Sequence, residues 1–80
     1  MEIVTYSYKR HGMIEFIFDK FPNSKAILYP IKSYYFIRTV RWDPEDPVVS
    51  KNDLEAMEIA ANELLGTIEN YRQRKNYKPK

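Results

Sequence analysis

The stretch SKNDLEAMEIAANELLGTIENYRQRK, residues 50–75, decides the fold. Leu54, Met57, Ala61, Leu64, Ile68 and Tyr71 recur at spacings of three and four, and Ala60 and Leu65 widen the stripe. That period belongs to a helix with one apolar face. Ser50 followed by Asp53 has the form of a capping box, with Asp in place of the longer Glu or Gln. Asp53, Glu55 and Glu58 crowd the start, and Arg72, Arg74 and Lys75 crowd the end, a polarity that complements the helix dipole. Gly66 costs a helix about 1 kcal/mol against Ala, so it marks either a close packing contact or a weak point. The spacing predicts one long helix followed by a frayed end.

Working back from the helix, Trp42-Asp43-Pro44-Glu45-Asp46-Pro47 is a loop, because prolines so close together cannot sit inside an element. Everything before it reads as β. Glu2–Tyr8 alternates Val4, Tyr6 and Tyr8 with Ile3, Thr5 and Ser7, and Lys9-Arg10-His11-Gly12 is a hairpin turn in which Gly12 can take positive φ. Met13–Asp19 follows with Ile14, Phe16 and Phe18 on one face. Phe21-Pro22-Asn23-Ser24 reads as a second turn and Lys25–Tyr29 as a third, short strand. Pro30 should end that strand or sit on an edge, with Pro30–Lys32 as a turn or a bulged continuation. Ser33–Trp42 is the longest strand. The expected fold class is α+β: a three- to four-stranded antiparallel sheet, then one long C-terminal helix packed on one face. Residues 1–75 form a single domain, and 76–80 a flexible basic tail.

Such a fold leaves one sheet face without a helix. By strict alternation Tyr34, Phe36, Arg38, Val40 and Trp42 share one side of the last strand, and Ser33, Tyr35, Ile37, Thr39 and Arg41 the other. Both sides carry large apolar groups, and a single helix covers only one set. An exposed aromatic patch marks an interaction surface.

The charge is segregated. Residues 1–41 hold seven Lys/Arg against three acids, residues 42–70 hold Lys51 against eight acids, and residues 71–80 hold five bases and no acid. The net charge of +2 therefore conceals a basic body, an acidic segment and a basic end. Eighty residues without cysteine exclude a disulfide framework, a Cys-based zinc site and a thiol nucleophile. Two glycines are too few for a phosphate-cradling loop. His11 is the one histidine, placed in a turn, and no second histidine is available to form a metal pair. No catalytic residue, metal site or cofactor is expected, and the chain is read as a non-enzyme. MEIVTYSYKR lacks the basic-then-apolar order of a signal peptide, so a cytoplasmic protein with no membrane partner is the expectation.

Two functional readings remain. In the first, aromatic rings stack on bases while interleaved cations neutralise phosphates. It assigns nucleic-acid binding to Lys9, Arg10, His11, Tyr34, Phe36, Arg38, Trp42, Arg72, Arg74 and Lys75, with Lys25 and Lys32 tracking the backbone. In the second, the same aromatic face docks a protein, as an inhibitor, an adaptor or a homodimer. The plainer reading of Tyr34 and Phe36 is that they are core, with Arg38 reaching the rim. No family motif is met residue by residue. The order of three strands and a helix is similar in topology to the DNA-binding domains of phage-type integrases, to double-stranded-RNA-binding domains and to small antitoxins. Ser50-Lys51-Asn52-Asp53 resembles the Ser-Lys-Lys opening of the last helix of the RNA-binding domain, with Asn52 replacing the second lysine and that domain's first helix missing. These resemblances imply an architecture used for nucleic-acid or protein binding.

Overall fold

The structure, a computed structural model, describes residues 1–76, with side chains as far as Arg74. Four strands form one antiparallel sheet in chain order: β1 (Ile3–Tyr8), β2 (Ile14–Phe18), β3 (Phe21–Ile31) and β4 (Tyr34–Arg41). Helices α1 (Lys51–Leu65) and α2 (Ile68–Asn76) follow. This is the expected α+β class. The expected tail lies, from residue 77 onward, outside the described residues.

The strand limits differ from those read by periodicity. Phe21–Ser24 is not a turn but the opening of β3, with Phe21 and Ser24 buried, and the chain reverses at Asp19-Lys20. Pro30 stays inside β3, opposite Tyr35. It is tolerated there because the β2–β3 pairing has already ended at Ile14↔Leu28, so no ladder donor is lost. The next reversal falls at Lys32-Ser33, with Lys32 at φ 55°.

Ile14, Phe16 and Phe18 of β2 and Ala26 and Leu28 of β3 form the buried face, closed by Met57 and Ala61 of α1. Ile37 and Val40 of β4 pack against its border. The capping box is present in full: Ser50 Oγ accepts from Asp53 N at 3.0 Å, and Asp53 Oδ2 accepts from Ser50 N at 2.9 Å. Lys20 Nζ, from the β2–β3 turn, donates to Asp53 Oδ1 at 2.8 Å and ties this helix end to the hairpin. The loop after β4 is anchored by buried Asp46, which accepts from Asn23 N at 3.1 Å and from Ser24 Oγ at 2.5 Å.

The single long helix is in fact two. Gly66 sits at φ 78°, and the Thr67 and Gly66 amides donate back to Asn62 O (2.9 Å) and Glu63 O (3.3 Å), the bond pair of a Schellman stop. Gly66 is therefore a helix terminus, and the chain turns there so that α2 runs beside β4. Leu64, read as part of the stripe, is exposed, and Leu65 packs instead.

Candidate nucleic-acid interface

The face of the sheet opposite α1 carries the site. Cross-strand pairing puts Ile27 opposite Thr39, Lys25 opposite Arg41 and Glu15 opposite Ile27, all turned away from the core. Two local irregularities load this face with charge. Leu28 faces Ile37 while Ile27 faces Thr39, which leaves Arg38 without an opposite residue. This bulge re-aims the strand. The even-numbered face expected over Tyr34–Trp42 is thus broken at Arg38. Tyr34 and Phe36 lie on the open face, but Val40, opposite Ala26, turns to the core side.

The second irregularity is the β1–β2 turn, a short 3₁₀ segment Arg10–Gly12 closed by Lys9 N donating to Met13 O at 2.7 Å. His11 at φ 61° and Gly12 at φ 76° are both left-handed. A Cβ on Gly12 would stand 3.3 Å from Pro30 Cγ, so the turn lies tightly against β3.

Together these place Lys9, Arg10, His11, Lys25, Arg38 and Arg41 around one concavity of about 610 Å³, with Met13, Ile27 and Thr39 also lining it. Glu15 is the one acid in it. Its carboxylate lies 3.1 Å from Lys9 Nζ and 3.6 Å from Lys25 Nζ. The hydrogen bond from Lys9, aided by the nearby charges of Lys9 and Lys25, holds it below the usual carboxylate range. Five cations against one carboxylate leave a formal +4. Arg10, Arg38 and Arg41 are exposed and have no ion pair or hydrogen-bond partner among the described residues. Arg38 also borders the neighbouring depression of about 300 Å³ with Tyr29 and Pro30.

The other residues read from sequence as binding groups fall elsewhere. Tyr34 and Phe36 meet edge-on at 5.4 Å, and each meets buried Tyr71 of α2 edge-on at 6.4 Å. The Arg74 guanidinium lies 4.3 Å from the Phe36 ring centre. These rings are half-buried and occupied by one another. Trp42 donates from Nε1 to Pro47 O at 2.9 Å and lines an adjoining apolar groove of about 590 Å³ with Val48, Val49 and Leu54, which Arg38 and Thr39 also border. Arg72 pairs with Glu63 at 3.6 Å, both exposed. The side chain of Lys75 lies outside the described residues. Lys9, Arg10, His11 and Arg38 are brought together; Tyr34, Phe36 and Arg74 form a second cluster, Trp42 shares a neighbouring groove with Arg38, and Arg72 stands apart.

Arg41 was missed by alternation, which sends it to the face opposite Arg38. The bulge brings both to one concavity, and only the pairing register reveals it. No group of three or more metal-ligating side chains occurs among the described residues, and none of their helices is long and apolar enough to cross a membrane.

No curated protein and no solved structure matches the chain. A family model described as "Uncharacterised protein YuzH" does, from residue 2 to residue 76. That span takes in all four strands and both helices, and the chain belongs to the YuzH family of uncharacterised proteins.

Proposed function

We propose that the chain is a binding module for single-stranded nucleic acid, held on the open sheet face. The observation that carries this reading is the convergence of Arg10, Arg38 and Arg41, all without partners, on one concavity with Lys9 and Lys25. Five cations gathered around a single carboxylate repel one another, and a polyanion relieves that repulsion while releasing its own counterions. The floor between the cations is apolar at Met13 and Ile27, and Tyr29 lies half-buried in the adjoining depression. Bases can rest on such a surface while phosphates meet the guanidinium rim. No acid between Asp43 and Asp53 lines this concavity.

The test is fluorescence anisotropy of labelled single-stranded and duplex oligonucleotides at roughly 50 and 200 mM salt, where each phosphate contact to a single strand contributes about 0.7 to the logarithmic slope. The parent should bind the single strand with a slope of several contacts. The Arg38→Glu, Arg41→Glu double variant should bind far more weakly and with a shallower slope. Both positions are exposed, so circular dichroism should not change. Absence of binding at the lower salt, or equal binding by the double variant, would overturn the reading.

A further inference from the structure

Arg38 stands at a junction. The bulge that leaves it without an opposite residue on β3 sets it on the border of the cationic concavity and also of the apolar groove beside Trp42. Thr39 borders both as well. The two depressions therefore meet along Arg38-Thr39 of β4, and a ligand lying in one can continue into the other.

The groove has two properties that its own packing does not explain. Its walls carry large apolar side chains left open to solvent, Trp42 at 45% and Val48 at 79% of full accessibility. Apolar surface gathered in this way marks a place where something docks. Trp42 is nonetheless fixed there by its Nε1 bond to Pro47 O, so the indole is positioned before any ligand arrives. The second property is charge. Glu58 is the groove's one carboxylate, and both its oxygens are engaged, Oε1 by the Tyr71 hydroxyl at 2.7 Å and Oε2 by the Ile37 amide at 3.0 Å. Arg38 has no ion pair or hydrogen-bond partner among the described residues. The charged group left to receive a ligand is thus Arg38, placed where groove and concavity join.

We infer that the groove is a base subsite: one nucleobase of the bound strand enters it against the Trp42 ring, its phosphate lies on Arg38, and the strand continues into the concavity. This rests on the nucleic-acid reading above and adds where a base is held. The occupant must combine an apolar, planar body with an adjacent anion, joined to further anions for Lys9, Arg10, Lys25 and Arg41. Every nucleotide of a single strand supplies that combination. A protein segment would need a run of carboxylates beside one large apolar side chain. The groove's volume of about 590 Å³ is within the ~300–1,000 Å³ of small-ligand sites.

The test uses the full chain and two labelled oligomers of about eight units at roughly 50 and 200 mM salt, one of thymidylate and one abasic with the same phosphodiester backbone. Anisotropy reads binding, and the fluorescence of Trp42, the chain's one tryptophan, reads the groove. Thymidylate should quench Trp42 at saturation. The abasic oligomer should bind more weakly, with the same salt slope and no quenching. Trp42→Ala should weaken thymidylate binding roughly 5- to 150-fold, the effect of one stacked base, and leave abasic binding and both slopes unchanged. Trp42→Phe keeps an aromatic face without the bond to Pro47 O, so it should retain most of the affinity. Val48→Glu, at an exposed position of the same groove, should weaken thymidylate binding more than abasic binding. Thymidylate binding without quenching, equal losses for the two oligomers in Trp42→Ala, or a Phe variant as weak as Ala would overturn the base subsite and leave the cationic concavity standing. Quenching by a peptide of alternating Val and Asp, with none by thymidylate, would give the groove to a protein and overturn it too. Failure of both oligomers to bind would overturn the nucleic-acid reading and the subsite together.

Discussion

The side-chain amide of Asn62 pairs with the backbone of Tyr35 as a neighbouring strand would: Oδ1 accepts from Tyr35 N at 2.9 Å and Nδ2 donates to Tyr35 O at 3.0 Å. Nδ2 also donates to Glu58 O at 2.8 Å, and Oδ1 accepts from Thr67 Oγ1 at 2.6 Å. Asn62 is fully buried, so each of these bonds forms out of reach of water. One residue of α1 thereby closes the β4 edge and also fixes the turn into α2.

Replacing it by a group of similar volume without polar atoms should be costly. Asn62→Leu leaves the N–H and C=O of Tyr35 without partners, and orphaned buried groups cost about 1–3 kcal/mol each. The expected loss is roughly 2–4 kcal/mol in urea denaturation, allowing for partial re-solvation of the edge. A loss under about 0.5 kcal/mol, the range of an ordinary surface change, would show that water reaches the edge and that the amide is dispensable.

Gly66 offers a cleaner backbone test. A Cβ added there meets nothing within 4 Å, so the cost of Gly66→Ala arises from φ 78° alone. The left-handed conformation should cost Ala about 1–2 kcal/mol. Asn tolerates that region better than Ala does, so Gly66→Asn should be milder. The two variants, compared by thermal unfolding, should rank in that order. The reverse order would mean that the chain can run on as one helix through residue 66.

What could be read from the sequence follows the range of the interactions. The capping box at Ser50, the acidic start of α1, the Lys9–Gly12 turn and the β character of the first forty residues are local, and each was legible. The limits of β3 were not, because Pro22 and Pro30 look like breakers until the neighbouring strand is known to stop short of them. The faces of β4 were misread past Arg38 because a bulge leaves no mark in a sequence. Glu58 and Asn62 look like ordinary solvent-facing helix residues. The one signal was Asn62, set with Glu63 between the apolar pairs Ala60-Ala61 and Leu64-Leu65.

Acid stability should depend on Asp53. The hydrogen bond from Lys20, and next that from the Ser50 amide, pull its carboxyl down to about 2. The unfolded carboxyl titrates near 3.9. The native state therefore gains stability from this group above pH ~4 and loses it as pH falls toward 2. Glu15 and Asp19 are also lowered, the first by Lys9 and the second by the Glu2 amide, so they steepen the same limb. Asp53→Asn should be less stable at neutral pH and lose less on acidification. Urea midpoints at several pH values would show two parallel curves if Asp53 were not involved.

At the other end of the scale the controlling group is Tyr71. Its ring is buried against Tyr34 and Phe36, and its hydroxyl donates to Glu58 Oε1 at 2.7 Å. Burial, then the Glu58 carboxylate, raises the phenol above its usual range. An unfolded tyrosine ionises near pH 10. The neutral phenol thus contributes stability that is fully present below pH ~10 and declines above it, as the unfolded chain gives up a proton that the folded chain retains. Tyr71→Phe should cost about 1 kcal/mol at neutral pH through the lost hydrogen bond. It should also flatten the alkaline decline, so that parent and variant converge as pH rises. Tyrosinate absorbance offers a direct check, because one of the seven tyrosines should ionise only as the protein unfolds. If all seven titrate while circular dichroism remains native, water reaches the Tyr71 hydroxyl and the Glu58 bond does not hold the α2 contact closed.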